Sequence, residues 1–270
     1  MRRHKHEGRR WKRYILVASI LCGALYFTEA RYRFFRMQNI EITPGNVIPE
    51  EVIWQALPKN VEDFWPLLFF CESGFEKRVM DYYPVSVDIA VEGWGRYRVD
   101  VAPLDIFLAV SWNSEHWWLS SNGRMWRATL PAGAIVKGVT FPNRPILAWD
   151  SRMPVPLDPE QQRCDIYTSS LPMAKIARWY DTIDRIGWKN DIYCLMAKKI
   201  EGRQMVHIML GGPDRITGEL VVKDDASDWL SLAAALENIY PSASGGVPQG
   251  LVINATYTNM TFTVLEKGKM

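Results

Sequence analysis

The side chains able to do chemistry are few and widely spaced. Beyond residue 30 the chain has two histidines, His116 and His207, and three cysteines, Cys71, Cys164 and Cys194. Neither histidine stands at a metal-ligand spacing. No His-Glu-x-x-His, paired Cys-x-x-Cys, Gly-x-Ser-x-Gly or phosphate-binding glycine loop occurs. Gly93-x-Gly95 lacks the third glycine of a dinucleotide motif and reads as a bend. His207 lies in an apolar run, Met205-Val206-His207-Ile208-Met209, where a satisfied or surface-facing histidine is expected rather than a catalytic one. The carboxylates are dispersed, although a glycosidase-type pair forms in space rather than in sequence. No motif in the sequence therefore points to a catalytic centre, a cofactor or a metal. The three cysteines allow at most one disulfide, and buried small hydrophobes are the alternative.

Tryptophan is the compositional oddity, at twelve residues. Trp112, Trp117, Trp118 and Trp126 fall within fifteen positions. They could form a stacking platform for a sugar ring, in a cell-wall glycan-binding module or wall-active enzyme. Core filling is the weightier alternative, since aromatic residues favour strands and bury large areas. Trp117 and Trp118 are adjacent and so point to opposite faces of any strand.

The elements that must position these residues follow from periodicity. Phe35, Met37, Ile40 and Ile42 mark a short extended segment ending at Pro44-Gly45. Pro49 opens a helix with Glu50 and Glu51 in its first turn, and Pro58 stops it. A second helix is expected within 61–81. Val85, Val87, Ile89 and Val91 then alternate as a half-buried strand does. Residues 96–128 are strand-rich, and Asn122-Gly123 is the strongest hairpin signal. The proline-rich stretch 130–160 reads as irregular. A helix is expected over 172–186, strands near 190–198, 204–210 and 216–223, and a second helix from Ser227. Strands near 250–257 and 260–266 close the chain.

Composition excludes disorder for most of the 270 residues, which are 48% hydrophobic and 23% charged. The net charge of +2 implies neither nucleic acid nor another strongly charged partner. That average hides a polarity. Residues 1–13 carry seven basic side chains, among them Arg9, Arg10, Lys12 and Arg13, beside one acid, Glu7; the rest carry 25 basic and 29 acidic. The border is the charge-free run 14–27, which includes Tyr14, Leu16, Val17, Ile20, Leu21, Leu25 and Phe27. Taken to residue 30, it reads as a membrane-spanning anchor in a lipid bilayer, with the N-terminus in the cytoplasm by the positive-inside rule. The h-region of a signal peptide and a buried helix are the competing readings. The parse is a basic cytoplasmic tail (1–13), a transmembrane helix (14–30) and two exported modules (34–103 and 104–270).

Several segments resemble the bacterial division proteins called FtsQ or DivIB. Phe35-Arg36-Met37-Gln38-Asn39-Ile40-Glu41-Ile42 is similar to the first strand of that family's POTRA domain. Tyr83-Pro84, followed by Val85-Ser86-Val87-Asp88-Ile89, looks like its second strand entry. Trp118-Leu119-Ser120 with Asn122-Gly123-Arg124-Met125-Trp126 resembles its central hairpin. Leu251-Val252-Ile253-Asn254-Ala255-Thr256-Tyr257 resembles its penultimate strand, with Asn254 where Asp is usual and Thr256 where Arg is common. The resemblance implies an α+β chain with a transmembrane helix, a POTRA-like βααββ domain, and a mixed α/β domain with an antiparallel sheet. It implies a non-enzymatic scaffold of the inner membrane at the division septum. It further implies partners like FtsB/DivIC and FtsL, bound by strand addition to the C-terminal edge. Tyr257, Asn259, Thr261, Phe262 and Val264 are the candidate contact residues.

Overall fold

The computed structural model describes residues 7–33, 35–129, 136, 142–158, 160, 165–212, 215–239, 250–256 and 261–264. The chain divides into two units. One holds residues up to Val79 together with Ser86–Ala102; the other holds Met80–Val85 and everything from Pro103.

The first unit begins with helix α1, Glu7–Tyr32, of 26 residues. Arg9, Arg10, Lys12 and Arg13 fall within it. Tyr14, Leu16, Val17, Ile20, Leu21, Leu25 and Phe27 are all exposed along it. The apolar run forms a helix, but the expected transmembrane helix is not seen. Among the described residues no helix is long and apolar enough to cross a membrane. The physical reason lies in the length of the charge-free run. Fourteen residues rise about 21 Å, against about 30 Å of bilayer hydrocarbon. Lengthening the helix in either direction adds charge: basic residues at one end, Glu29 and Arg31 at the other.

After α1 come β1 (Asn39–Thr43), α2 (Glu50–Ala56), α3 (Pro66–Met80), β2 (Val85–Gly93) and β3 (Arg96–Pro103). The three strands form a sheet in the order β1-β3-β2, with β1 parallel to β3. The helical connection between β1 and the β2–β3 hairpin permits that parallel pairing. Ile53 and Ala56 of α2 are buried, as are Leu68, Phe75 and Val79 of α3 and Tyr97, Val99 and Val101 of β3. The Tyr97 hydroxyl donates to the Trp65 carbonyl at 2.8 Å. The bend between β2 and β3 requires glycine at position 95: its φ is +65°, and a Cβ there would lie 2.9 Å from the Arg36 carbonyl oxygen.

The second unit is built on one ten-stranded sheet. Its strands are β4 (Ile106–Trp112), β5 (Glu115–Ser120), β6 (Arg124–Arg127), β7 (Ile146–Trp149), β8 (Ile166–Thr168), β9 (Ile192–Ile200), β10 (Arg203–Gly212), β11 (Arg215–Lys223), β12 (Leu251–Asn254) and β13 (Thr261–Val264). Helix α4 (Met173–Ile183) precedes β9, and α5 (Trp229–Ile239) lies between β11 and β12. The spatial order is β13-β12-β11-β10-β9-β7-β4-β5-β6-β8.

The sheet is mixed, which corrects the expectation of an antiparallel one. β4 with β7, β7 with β9, and β11 with β12 are parallel pairs. A helix between two adjacent strands returns the chain to the same end of the sheet, so the second strand runs parallel to the first. α4 does this between β7 and β9, and α5 between β11 and β12. Short turns make the antiparallel pairs. Asn113 and Ser114, both at positive φ, join β4 to β5, and Glu201-Gly202 joins β9 to β10 in the same way. β7 lies in the stretch read as irregular. It is a four-residue apolar run with parallel neighbours on both sides, so it shows no alternation.

One core packs both helices onto the sheet. Ile176, Trp179, Tyr180 and Ile183 of α4 and Trp229, Ala233 and Leu236 of α5 meet Leu195, Ile208, Leu220 and Ile253. Trp179 and Trp229 stack with ring centroids 6.1 Å apart. Their indole N–H groups donate to the carbonyls of Asp224 and Lys223, at 2.6 and 3.0 Å. A separate small core joins Leu104, Ile106, Trp126 and Ile166, with Trp118 packed against it.

Candidate interaction edge

A sheet has two edges, and each leaves a row of backbone N–H and C=O groups to be satisfied. The edges of this sheet are β8 and β13.

The β8 edge is covered by its own chain. The Asp158 amide donates to the Thr168 carbonyl at 2.9 Å, and the Ser170 amide to the Pro156 carbonyl at 2.8 Å. Leu157 bridges Ser169. At the start of the strand, the Asp165 and Ile166 amides both donate to the Asp81 carbonyl at 3.0 Å. Arg124 of β6 holds that neighbouring segment, donating to the Met80 carbonyl at 3.1 Å with the Asp81 carboxylate 3.5 Å away. These contacts explain why Met80–Val85 belong with the second unit.

The β13 edge differs. β13 pairs antiparallel with β12, with Thr261 opposite Asn254, Phe262 opposite Ile253, Thr263 opposite Val252 and Val264 opposite Leu251. Among the described residues no strand pairs with its other side. The support beneath it is firm. Leu251 and Ile253 of β12 are buried in the helix-side core. After β12, the Ala255 amide donates to the Val221 carbonyl at 2.8 Å. The Asn254 side-chain oxygen accepts from the Thr256 amide at 3.1 Å and from its hydroxyl at 2.6 Å. Thr256 is buried, so it closes a turn at the position where the resemblance would set an arginine.

A polar pair lies inside the edge. His207 of β10 bonds through Nδ1 to the carboxylate of Glu219 on β11. Val206, Ile208 and Leu210 of β10 face the helices, so His207 lies on the opposite face. It is buried, and its Nε2 has no partner among the described residues. The hydrogen bond from His207 holds the Glu219 carboxyl below its ordinary range, against the opposing effect of burial; the charges of His207 and Lys198 lower it further. Glu219 stands in register with Val252 of β12, and Val252 with Thr263 of β13.

Of the five candidate contact residues, Thr261, Phe262 and Val264 fall in the edge strand; Tyr257 and Asn259 lie outside the described residues. The aromatic cluster does not form a platform. Trp117 and Trp126 are buried and Trp112 and Trp118 half-buried. Trp117 packs 6.1 Å from Trp112 and 5.8 Å from Tyr167, with the Arg127 guanidinium 5.3 Å from its ring. Cys71 and Cys194 are free thiols, and Cys164 lies outside the described residues. His116 is exposed.

Sequence reasoning missed one acidic group. Glu72 and Glu76 of α3 and Asp88 of β2 bring carboxylate oxygens within 4.8 Å of one another. Burial, then the charges of Glu72 and Asp88, push Glu76 above the ordinary carboxyl range. The i, i+4 spacing of the two glutamates was legible; the approach of Asp88 was not.

In comparisons with known proteins, no family model matches the chain and no curated protein is significantly similar to it.

Proposed function

We propose that the protein is a non-enzymatic scaffold for cell division that recruits partners by strand addition at β13. The partners are small division proteins like FtsB/DivIC and FtsL, and the place of action is the septum, beside the cytoplasmic membrane. No spanning helix is part of this reading. The single observation that supports it is the asymmetry of the sheet: one edge is covered by its own chain, and the other is supported from within and, among the described residues, unpaired outside. Strand addition draws affinity from backbone hydrogen bonds and specificity from alternate side chains, so it needs no charged residue at position 256.

The test is co-purification with the FtsB/DivIC-like protein of the same organism. The expected result is capture by the unaltered chain, lost in Phe262→Glu and reduced in Tyr257→Ala. Val155→Glu, an exposed position beside the covered edge, retains capture. Equal capture by Phe262→Glu removes the site assignment. Absence of capture by the unaltered chain removes the partner class.

A further inference from the structure

The first unit holds a pocket of its own, separate from the sheet edge. The end of α2 and the loop that follows it, residues 54–63, line an open cavity of about 360 Å³. That is toward the small end of ligand pockets, which run from about 300 to 1,000 Å³. Its wall carries one large aromatic ring, Trp54, at the end of α2. Around it stand Gln55, Lys59, Asn60, Glu62 and Asp63. Trp54 is 43% exposed although its neighbour Ile53 is fully buried. Among the described residues, none of these six side chains makes a hydrogen bond, ion pair or ring contact.

The frame of the cavity is ordered by backbone bonds. The Val61 amide donates to the Pro58 carbonyl at 3.2 Å, and the Asp63 and Phe64 amides to the Asn60 carbonyl at 3.2 and 3.1 Å. Asn60 has φ +67°, a conformation asparagine tolerates better than most residues. Val61 is buried beneath. The Glu62 carbonyl accepts from the Met37 amide at 2.9 Å, which ties the loop to the segment before β1. The polar side chains therefore project from a set backbone, which lowers the cost of ordering them on a ligand.

We propose that this cavity binds a neutral sugar ring. A pyranose has an apolar C–H face, which suits the face of Trp54, and a rim of hydroxyls that both donate and accept. The rim of the cavity offers both roles: donors on Lys59, Asn60 and Gln55, acceptors on Glu62, Asp63 and the two amides. A basic peptide side chain over Trp54 is the rival occupant, since Glu62 and Asp63 would attract it. The Lys59 ammonium in the same cavity disfavours it.

The experiment is saturation-transfer NMR on the full chain with chitotriose, an uncharged oligosaccharide rich in hydroxyl and amide groups. A parallel sample holds tri-arginine. The expected result is transfer to chitotriose ring protons, reduced about fivefold or more by Trp54→Ala. Glu62→Gln and Asp63→Asn each weaken it, and Trp54→Phe keeps most of it. Trp94→Ala removes a more exposed indole elsewhere in the unit and leaves transfer unchanged. Circular dichroism checks that Trp54→Ala stays folded. No transfer at millimolar sugar, equal transfer in Trp54→Ala, or binding of tri-arginine alone overturns the assignment. Partner capture at β13 is unchanged in all these variants, so failure here and failure of the scaffold reading are separate outcomes.

Discussion

The two edges of the ten-stranded sheet meet the same physical demand in opposite ways. β8 is only three residues long, yet its surroundings are dense with bonds: the 156–158 segment on one side of the chain, the Asp81 carbonyl at its start, and Arg124 holding Asp81. β13 is almost as short but takes its order from one neighbour, β12, which is anchored by Leu251 and Ile253. An edge closed by its own chain is protected against unwanted pairing. An edge built on a firm neighbour and left open is suited to wanted pairing. The contrast teaches that an unpaired edge strand becomes informative only when the protein covers its counterpart.

The largest expected effect tests the support of the open edge. Ile253→Ala removes a fully buried side chain under β13 and is expected to cost roughly 2–5 kcal/mol, read by chemical denaturation. Partner capture falls with it. An unchanged midpoint would mean that β12 does not carry the edge. Next comes the closed edge. Arg124→Ala leaves the half-buried Asp81 without its cation and is expected to cost about 1–3 kcal/mol while capture persists once the protein is folded. Loss of capture by folded Arg124→Ala would erase the distinction between the edges. Phe262→Glu, on the face that Ile253 shares, is expected to lower partner affinity about tenfold or more, measured by titration calorimetry on folded protein; its denaturation midpoint also falls, by less than that of Ile253→Ala.

Two carboxylates give smaller, pH-resolved effects of opposite sign. The Glu219 carboxyl is depressed in the folded state, so its bond with His207 stabilises the fold above the ordinary carboxyl range. That contribution fades as pH falls through the depressed value. Glu219→Gln should lower stability by about 1 kcal/mol at neutral pH and flatten the acid limb of the stability curve. A mutant with the acid limb of the unaltered protein would place the titration elsewhere. Glu76 is raised, so the fold gains as pH drops from its raised value toward the ordinary carboxyl range, where the gain is complete. Glu76→Gln should raise the stability of the first unit at neutral pH by a few tenths of a kcal/mol, roughly the scale of exposed charge pairs. A decrease would mean that repulsion with Glu72 and Asp88 is already relieved.

Much of the local structure was legible because periodicity reports a face. The stripe Ile176, Trp179, Tyr180, Ile183 marks α4, and those four side chains are the buried ones. Asn122-Gly123 marks the turn between β5 and β6, where Gly123 takes φ +82°. Direction was not legible, because alternation is the same for parallel and antiparallel strands. The parallel pairs β7–β9 and β11–β12 follow from α4 and α5 standing between neighbouring strands, whereas β4 and β7 run parallel with β5 and β6 between them in the chain. β7 was hidden because its four residues are all apolar: Leu147 and Trp149 are buried while Ile146 and Ala148 are half-buried, so the sequence carries no polar alternation. The apolar run 14–27 was legible as a helix; its reading as a span depended on counting length beyond the uncharged residues. For the tryptophans, alternation does place Trp117 and Trp118 on opposite faces, but each face carries its own apolar cluster, so neither ring became a platform. Of the edge, sequence position pointed to the last strand as the outermost; the covering of β8 and the His207–Glu219 pair depend on residues far apart in the chain.

Backbone hydrogen exchange, read by mass spectrometry on the free chain and on the chain with its FtsB/DivIC-like partner, tests the central claim most directly. Peptides spanning β13 are predicted to exchange rapidly in the free protein and to become protected with the partner. Peptides spanning residues 155–158 and β8 are predicted to be protected from the start and unchanged. Protection on binding that appears at β8, or that leaves β13 as open as before, would contradict it.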